Sequence, residues 1–238
     1  MKYYRLLTQL PALPDTPGRP PVSLEEAIGV FQEDMAAKDW ELAEEILRWL
    51  DCENLESKML GRDIFNEKAP LSREQLEDRR ELPDFMADFL DAEESGALSG
   101  TYSVDALWRS YHLHLLEISK THGCPMLGEW AFWEAGLRNA LARSRAQEIG
   151  VDLEGRLFEE SEEESLYSEM VAWASEAADP LERERVIDQN RLAKLNELAG
   201  INPFSREAAL CYLLSLIILD RWDLPREVDT KQLLEVFS

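Results

Sequence analysis

The side chains that could ligate a metal or attack a substrate are sparse in this chain of 238 residues. All three histidines, His112, His114 and His122, fall in one stretch. His112 and His114 are two apart, and on a helix that spacing sends them to different faces. His122-Gly123-Cys124 offers an imidazole and a thiol in close succession, but zinc spacings need two close pairs, and the chain has no second one. A helix end is the simpler reading there. A di-iron centre needs two Glu-x-x-His motifs on inward faces; only the reversed His114-x-x-Glu117 occurs. No Gly-x-Gly-x-x-Gly or Gly-Lys-Ser/Thr loop offers backbone N–H groups to a phosphate, and no Gly-x-Ser-x-Gly elbow carries a nucleophile. With only 11 glycines in the chain, those absences have weight. The 48 acids are too many for a catalytic pair to stand out. The sequence therefore predicts no cofactor, no metal and no enzymatic activity.

One segment combines aromatic, guanidinium and amide groups at helical spacing: Trp130-Ala131-Phe132-Trp133-Glu134-Ala135-Gly136-Leu137-Arg138-Asn139. Arg138 and Asn139 adjoin apolar positions, so they are expected to hydrogen-bond rather than to float. Arg221-Trp222 repeats the combination at the end of an apolar run. Trp and Arg dominate interface hot spots, and the same groups also build polar networks inside helical proteins. Trp133, Arg138, Asn139, Arg221 and Trp222 are therefore the candidates for a protein interface or a buried polar network. Trp40, Trp49, Trp108 and Trp173 lie in helical periodic patterns and are expected to pack in cores.

The charge sets limits on partners. Lys and Arg number 25, giving a formal net charge of −23. Affinity for a phosphate backbone comes from cationic patches that release counterions, so a nucleic-acid partner is not expected. An electrostatic grip on anionic lipid needs clustered Lys and Arg and is equally disfavoured. The acidity is uneven: residues 151–190 hold 13 acids and 3 Arg, whereas 125–148 balance three of each sign. The densest run, 159–164, reads as a solvated loop and helix start, with docking to a basic surface or metal binding as alternatives.

The elements that must position these groups read as helices. The 37 leucines outnumber the 22 Val, Ile and Thr together, which favours helix over strand. Residues 1–22 combine a short apolar stretch with prolines and are expected to be extended, with Leu6, Leu7, Leu10 and Leu13 docking on a body. Ser23-Leu24-Glu25-Glu26 and Ser72-Arg73-Glu74-Gln75 are capping boxes. A second helix is expected from Trp40 to about Lys58, a loop over 61–70, and a helix from Pro83-Asp84. Residues 92–102 form the best internal loop. Ser103 opens a helix ending near Thr121-His122-Gly123, where Gly supplies the left-handed terminus, and Pro125 opens another over 126–148. Asp179-Pro180 starts a helix ending at Gly200, Ser205 caps one through Leu219, and Asp229-Thr230 opens a short last one. This predicts an all-α fold of roughly nine helices in one domain, with two helical lobes, 1–98 and 99–238, as the alternative. Three dispersed cysteines, Cys52, Cys124 and Cys211, suit a reducing cytosol. No signal peptide is visible, and the apolar run 210–219 is about half of a membrane crossing.

Several of these motifs, taken in order, resemble a family encoded among V-type ATP synthase subunits in bacterial operons. The matching elements are Tyr3-Tyr4-Arg5-Leu6-Leu7-Thr8-Gln9-Leu10-Pro11-Ala12-Leu13 with Pro20-Pro21-Val22-Ser23; Asp51-Cys52-Glu53-Asn54-Leu55; the Trp130 to Asn139 helix; Pro180 to Glu184; and Phe204 to Leu216 with Arg221-Trp222. The Leu-Arg-Asn and Tyr-Leu-x-x-Leu helices are also distantly similar to the all-helical C (or d) subunit of V/A-type ATPases, which caps the rotor ring and receives the central shaft. Ile201-Asn202-Pro203 departs from the aromatic stretch the family leads one to expect there, and 159–164 is more acidic. The resemblance implies a non-catalytic subunit or accessory coupling central stalk to rotor ring. It would lie in the cytoplasm, peripheral to the membrane, and contact central-stalk and rotor-ring subunits. The alternatives are a stand-alone helical adaptor or assembly factor and, more remotely, an enzyme of another type.

Overall fold

Four helix starts carry the side-chain caps written in the sequence. Ser23, Ser72, Asp179 and Ser205 each accept the backbone N–H three residues on, at 3.2, 3.2, 2.9 and 3.0 Å. The backbone N–H groups of Ser23 and Ser72 in turn donate to the side-chain oxygens of Glu26 and Gln75, which completes each box. Each such cap is worth about 1 kcal/mol. A computed structural model describes residues 2–98, 103–150, 164–177 and 179–223. Among the described residues there are ten α-helices and no strand: α1 (Tyr4–Gln9), α2 (Leu24–Asp34), α3 (Ala37–Met59), α4 (Arg73–Glu77), α5 (Asp84–Glu94), α6 (Ser103–Thr121), α7 (Pro125–Ile149), α8 (Glu164–Ser175), α9 (Pro180–Leu198) and α10 (Arg206–Asp220). The fold is all-α. The expected helix at Asp229 and all of the acidic run except Glu164 lie outside the described residues. No helix among them is long and apolar enough to cross a membrane.

The chain divides into two units. One joins residues 1–40 to 161–238; the other is 41–160, so the first boundary falls inside α3. The alternative division between residues 98 and 99 falls within the second unit.

In the first unit α10 is the centre. Its run from Ala208 to Leu219 is buried apart from Tyr212 and Ser215. α9 and α2 pack on it, α8 on α9, and α1 on α2. The N-terminal region is not extended throughout, as the sequence suggested. Residues 4–9 form α1 because a single helical turn buries Leu6 while Tyr3 and Leu10 anchor its two ends. The proline-rich stretch that follows is pinned by side chains of later helices. Tyr212 Oη donates to Pro11 C=O at 2.9 Å and Arg185 Nη1 to Pro17 C=O at 2.8 Å. Trp173 does not join the core: it is 58% exposed on α8. Tyr167, Val171 and Ala174 supply that helix's buried side, which leaves Trp173 on the opposite one.

The second unit holds most of α3 with α4, a 3-10 turn over Arg79–Glu81, α5, α6 and α7. α6 packs against α7 and α5. The reversal between α6 and α7 uses Gly123 at φ 58° and Pro125 at the first position of α7. The helices approach closely at Gly128, where a Cβ would stand 2.6 Å from Ser119 Oγ. The loop over 61–70 is tied to α3: Asp51 accepts the Leu71 N–H at 2.9 Å, and Asn54 exchanges two hydrogen bonds with the Asn66 backbone at 2.7 and 3.1 Å.

Candidate functional site

The five candidate residues separate into two clusters, one in each unit. In the second unit Arg138 lies on α7 between a carboxylate and two indoles. Its Nε is 3.1 Å from Oε1 of the fully buried Glu134, one turn earlier. Its guanidinium sits 3.7 Å from the centre of the Trp108 ring and 5.5 Å from that of Trp49. Stacking on an aromatic face suits a planar, weakly hydrated cation. The two indoles meet edge-on at 4.9 Å. Their N–H groups donate to Glu53 at 2.9 Å and to Glu56 at 2.6 Å. Tyr111 packs on both and donates to the carbonyls of Glu45 and Ile46 at 3.2 Å. Burial raises its phenol well above the usual value and does the same to the Cys52 thiol, so neither is a ready nucleophile. Trp133 is buried and stacks on Trp130 at 5.6 Å. Asn139 is half-buried on the same helix.

Arg221 and Trp222 belong to the first unit, where they converge on Asp188 of α9. This fully buried carboxylate accepts from Arg191 at 2.8 Å, Trp222 Nε1 at 2.8 Å and Arg221 at 3.2 Å. Arg221 also reaches Glu184 at 3.4 Å, and the Arg185 guanidinium covers the Trp222 ring at 4.6 Å. Burial pushes the Glu184 carboxyl upward, against the pull of Arg221 and Arg191.

Sequence reasoning did not name Glu134 or Asp188, the acids around which these groups gather, as site residues. The available signal was an acid one turn from an Arg on a helix, as in Glu134–Arg138 and Asp188–Arg191. Asp39 joins Lys2 and Tyr3 through hydrogen bonds, with Arg206 Nη1 at 3.8 Å. The histidines disperse as their spacing predicted. His112 is buried, His114 pairs with Glu45 at 2.7 Å, and His122 lies 3.8 Å from Glu41. Among the described residues no group of three or more His, Cys, Asp and Glu is placed to hold a metal ion.

What these arrangements do chemically is hold charge. Each buried carboxylate faces cationic or neutral donors, and each cluster ties residues distant in sequence to one helix. No family model matches the chain, and no curated protein and no solved structure matches it.

Proposed function

We propose that this protein is a non-catalytic subunit or accessory of a V-type ATP synthase, coupling central stalk to rotor ring in the manner of the C (or d) subunit. It would lie at the cytoplasmic face and reach the membrane only through the complex. The carrying observation is the ordered set of motifs from Tyr3 to Trp222, which spans the chain.

The geometry of those motif residues supports the reading. Asp51 and Asn54 stiffen a loop, Arg138 is locked between Glu134 and two tryptophans, and Glu184 shares Arg221 with Asp188. These residues of the resembling motifs are thus engaged in internal support. A subunit that transmits force through packed helices needs this rigidity and no nucleophile.

The test is purification of the native ATP synthase in mild detergent, with mass spectrometry of its subunits. The chain is expected in the complex at a fixed ratio to the stalk subunits. Its consistent absence, with the stalk retained, would overturn the proposal. Its presence only in incomplete complexes would convert it to an assembly factor.

A further inference from the structure

Residues 2–22 follow α10 along its whole length. The Tyr3 N–H donates to the Phe204 carbonyl, just before α10, at 3.0 Å. Near the middle of α10, Tyr212 Oη donates to the Pro11 carbonyl at 2.9 Å. Just past its end, Asp223 pairs with Arg19 at 2.9 Å. The segment thus runs parallel to a helix about 22 Å long. Tyr3, Leu6, Leu10, Pro17 and Pro20 are its buried residues. A helix as apolar as α10 has to be enclosed; α9 and α2 pack on it, and this segment lies along it.

The attachment is made by side chains. Among the described residues, the Tyr3–Phe204 bond is the only backbone–backbone hydrogen bond from 2–22 to the rest of the unit. α1 is a helix of 6 residues, too short to hold without its contacts. Beyond it, Pro11, Pro14, Pro17, Pro20 and Pro21 restrict the backbone, which lowers the entropy lost each time the segment closes. The far end is fixed by the Ser23 capping box at the start of α2. At the near end the buried Asp39 accepts from Lys2 Nζ and Tyr3 Oη, and Asp34 pairs with Arg5 at 3.2 Å and accepts from Gln9. Arg206 Nη1 stands 3.8 Å from Asp39 on the other side. If Lys2 and Tyr3 withdraw, that carboxylate keeps a cation beside it, so opening does not leave a buried charge alone.

We propose that residues 2–22 are a hinged strap. It lifts from α10 as one piece about the Ser23 cap, is clasped at the Tyr3 end by Asp39, and switches an apolar face of α10 between covered and accessible. This device is independent of the function proposed above.

Hydrogen exchange of the full chain, read by mass spectrometry, tests the strap. The α1 amides are expected to exchange together, at least about tenfold faster than those in the middle of α9 and α10, because a local unit opens below global unfolding. Asp39→Asn and, separately, Tyr3→Phe weaken the clasp with little change of shape. Each should speed α1 exchange by about a further tenfold, the scale of one hydrogen bond to a charged group, and leave α9 and α10 unchanged. Radical footprinting should show faster oxidation of Tyr212 in both variants, since the strap lies on its hydroxyl. Tyr3→Phe removes a single hydroxyl and keeps the result decidable where Asp39→Asn unfolds the unit. Exchange of α1 at the rate of α10, acceleration of both regions together in Tyr3→Phe, or unchanged oxidation of Tyr212 each overturns the strap.

Discussion

Asp188 has three donors and no exposed surface, so its removal should be among the most costly single changes in the protein. Asp188→Ala removes the buried carboxylate that accepts from Arg191, Arg221 and the Trp222 indole. Breaking a buried charge pair from one side typically costs about 3–5 kcal/mol. Urea unfolding should show a loss of that size, and a loss under about 1 kcal/mol would mean that water replaces the carboxylate there. Glu184 offers a test of opposite sign. Burial raises its carboxyl above the ordinary value. The folded state then holds the proton more tightly than the unfolded chain, and this group's contribution to stability falls as pH rises through the folded value. Glu184→Gln cannot titrate. Its stability relative to the parent should therefore improve between about pH 4 and about pH 7, and parallel pH profiles would refute the assignment. The tryptophans that clamp Arg138 show what sequence could not reveal about this site. Glu134 is one turn away and legible, whereas Trp49 and Trp108 arrive from α3 and α6 only through packing.

The α6–α7 hairpin rests on a missing side chain. A Cβ at position 128 would press within 2.6 Å of Ser119 Oγ, which is held by its own hydrogen bond to the Cys124 carbonyl at 2.9 Å. Gly128→Ala would gain about 1 kcal/mol of helix propensity but incur about 1–3 kcal/mol of overpacking. A lower thermal midpoint is expected, and adding Ser119→Gly should recover part of it. A midpoint raised by Gly128→Ala alone would show that the helices can separate freely. Helix boundaries were legible wherever the signal is local. The caps at Ser23, Ser72, Asp179 and Ser205, the glycines at 123 and 200, and the prolines at 125 and 180 all act within one turn of their own residue. α1 was not legible, because six residues have little intrinsic helical stability and this helix depends on burying Leu6 between Tyr3 and Leu10. Trp173 misled for the complementary reason: periodicity gives an apolar residue a face but does not say that anything lies against it.

At the scale of the whole molecule the charge of −23 opposes compaction, and the individual carboxylates give that opposition a pH dependence. Burial raises Asp51, despite the Arg48 pair and the Leu71 N–H, as it raises Glu184. Both contributions weaken as pH rises through the folded values. Asp39 runs the other way. Burial alone would lift it, but hydrogen bonds from Lys2 and Tyr3 and the charges of Lys2 and Arg206 bring it below the ordinary carboxylate range. Its stabilisation is present above the unfolded value and is lost only as pH falls through the depressed one. Self-repulsion also declines as pH approaches the isoelectric value near 4.5. Stability should therefore be greatest in mild acid and decline toward neutral pH. Salt discriminates between the forces involved. It screens repulsion over the whole surface, whereas exposed ion pairs such as Arg73–Asp63 are worth about 0–1 kcal/mol each and the buried pairs at Asp188 and Glu134 are shielded from it. Added salt should thus raise the thermal midpoint at about pH 7.5 and have a smaller effect at about pH 5. A midpoint that falls with salt at neutral pH would mean that attraction within the surface pairs outweighs net repulsion, and the charge balance of the fold would have to be read the other way.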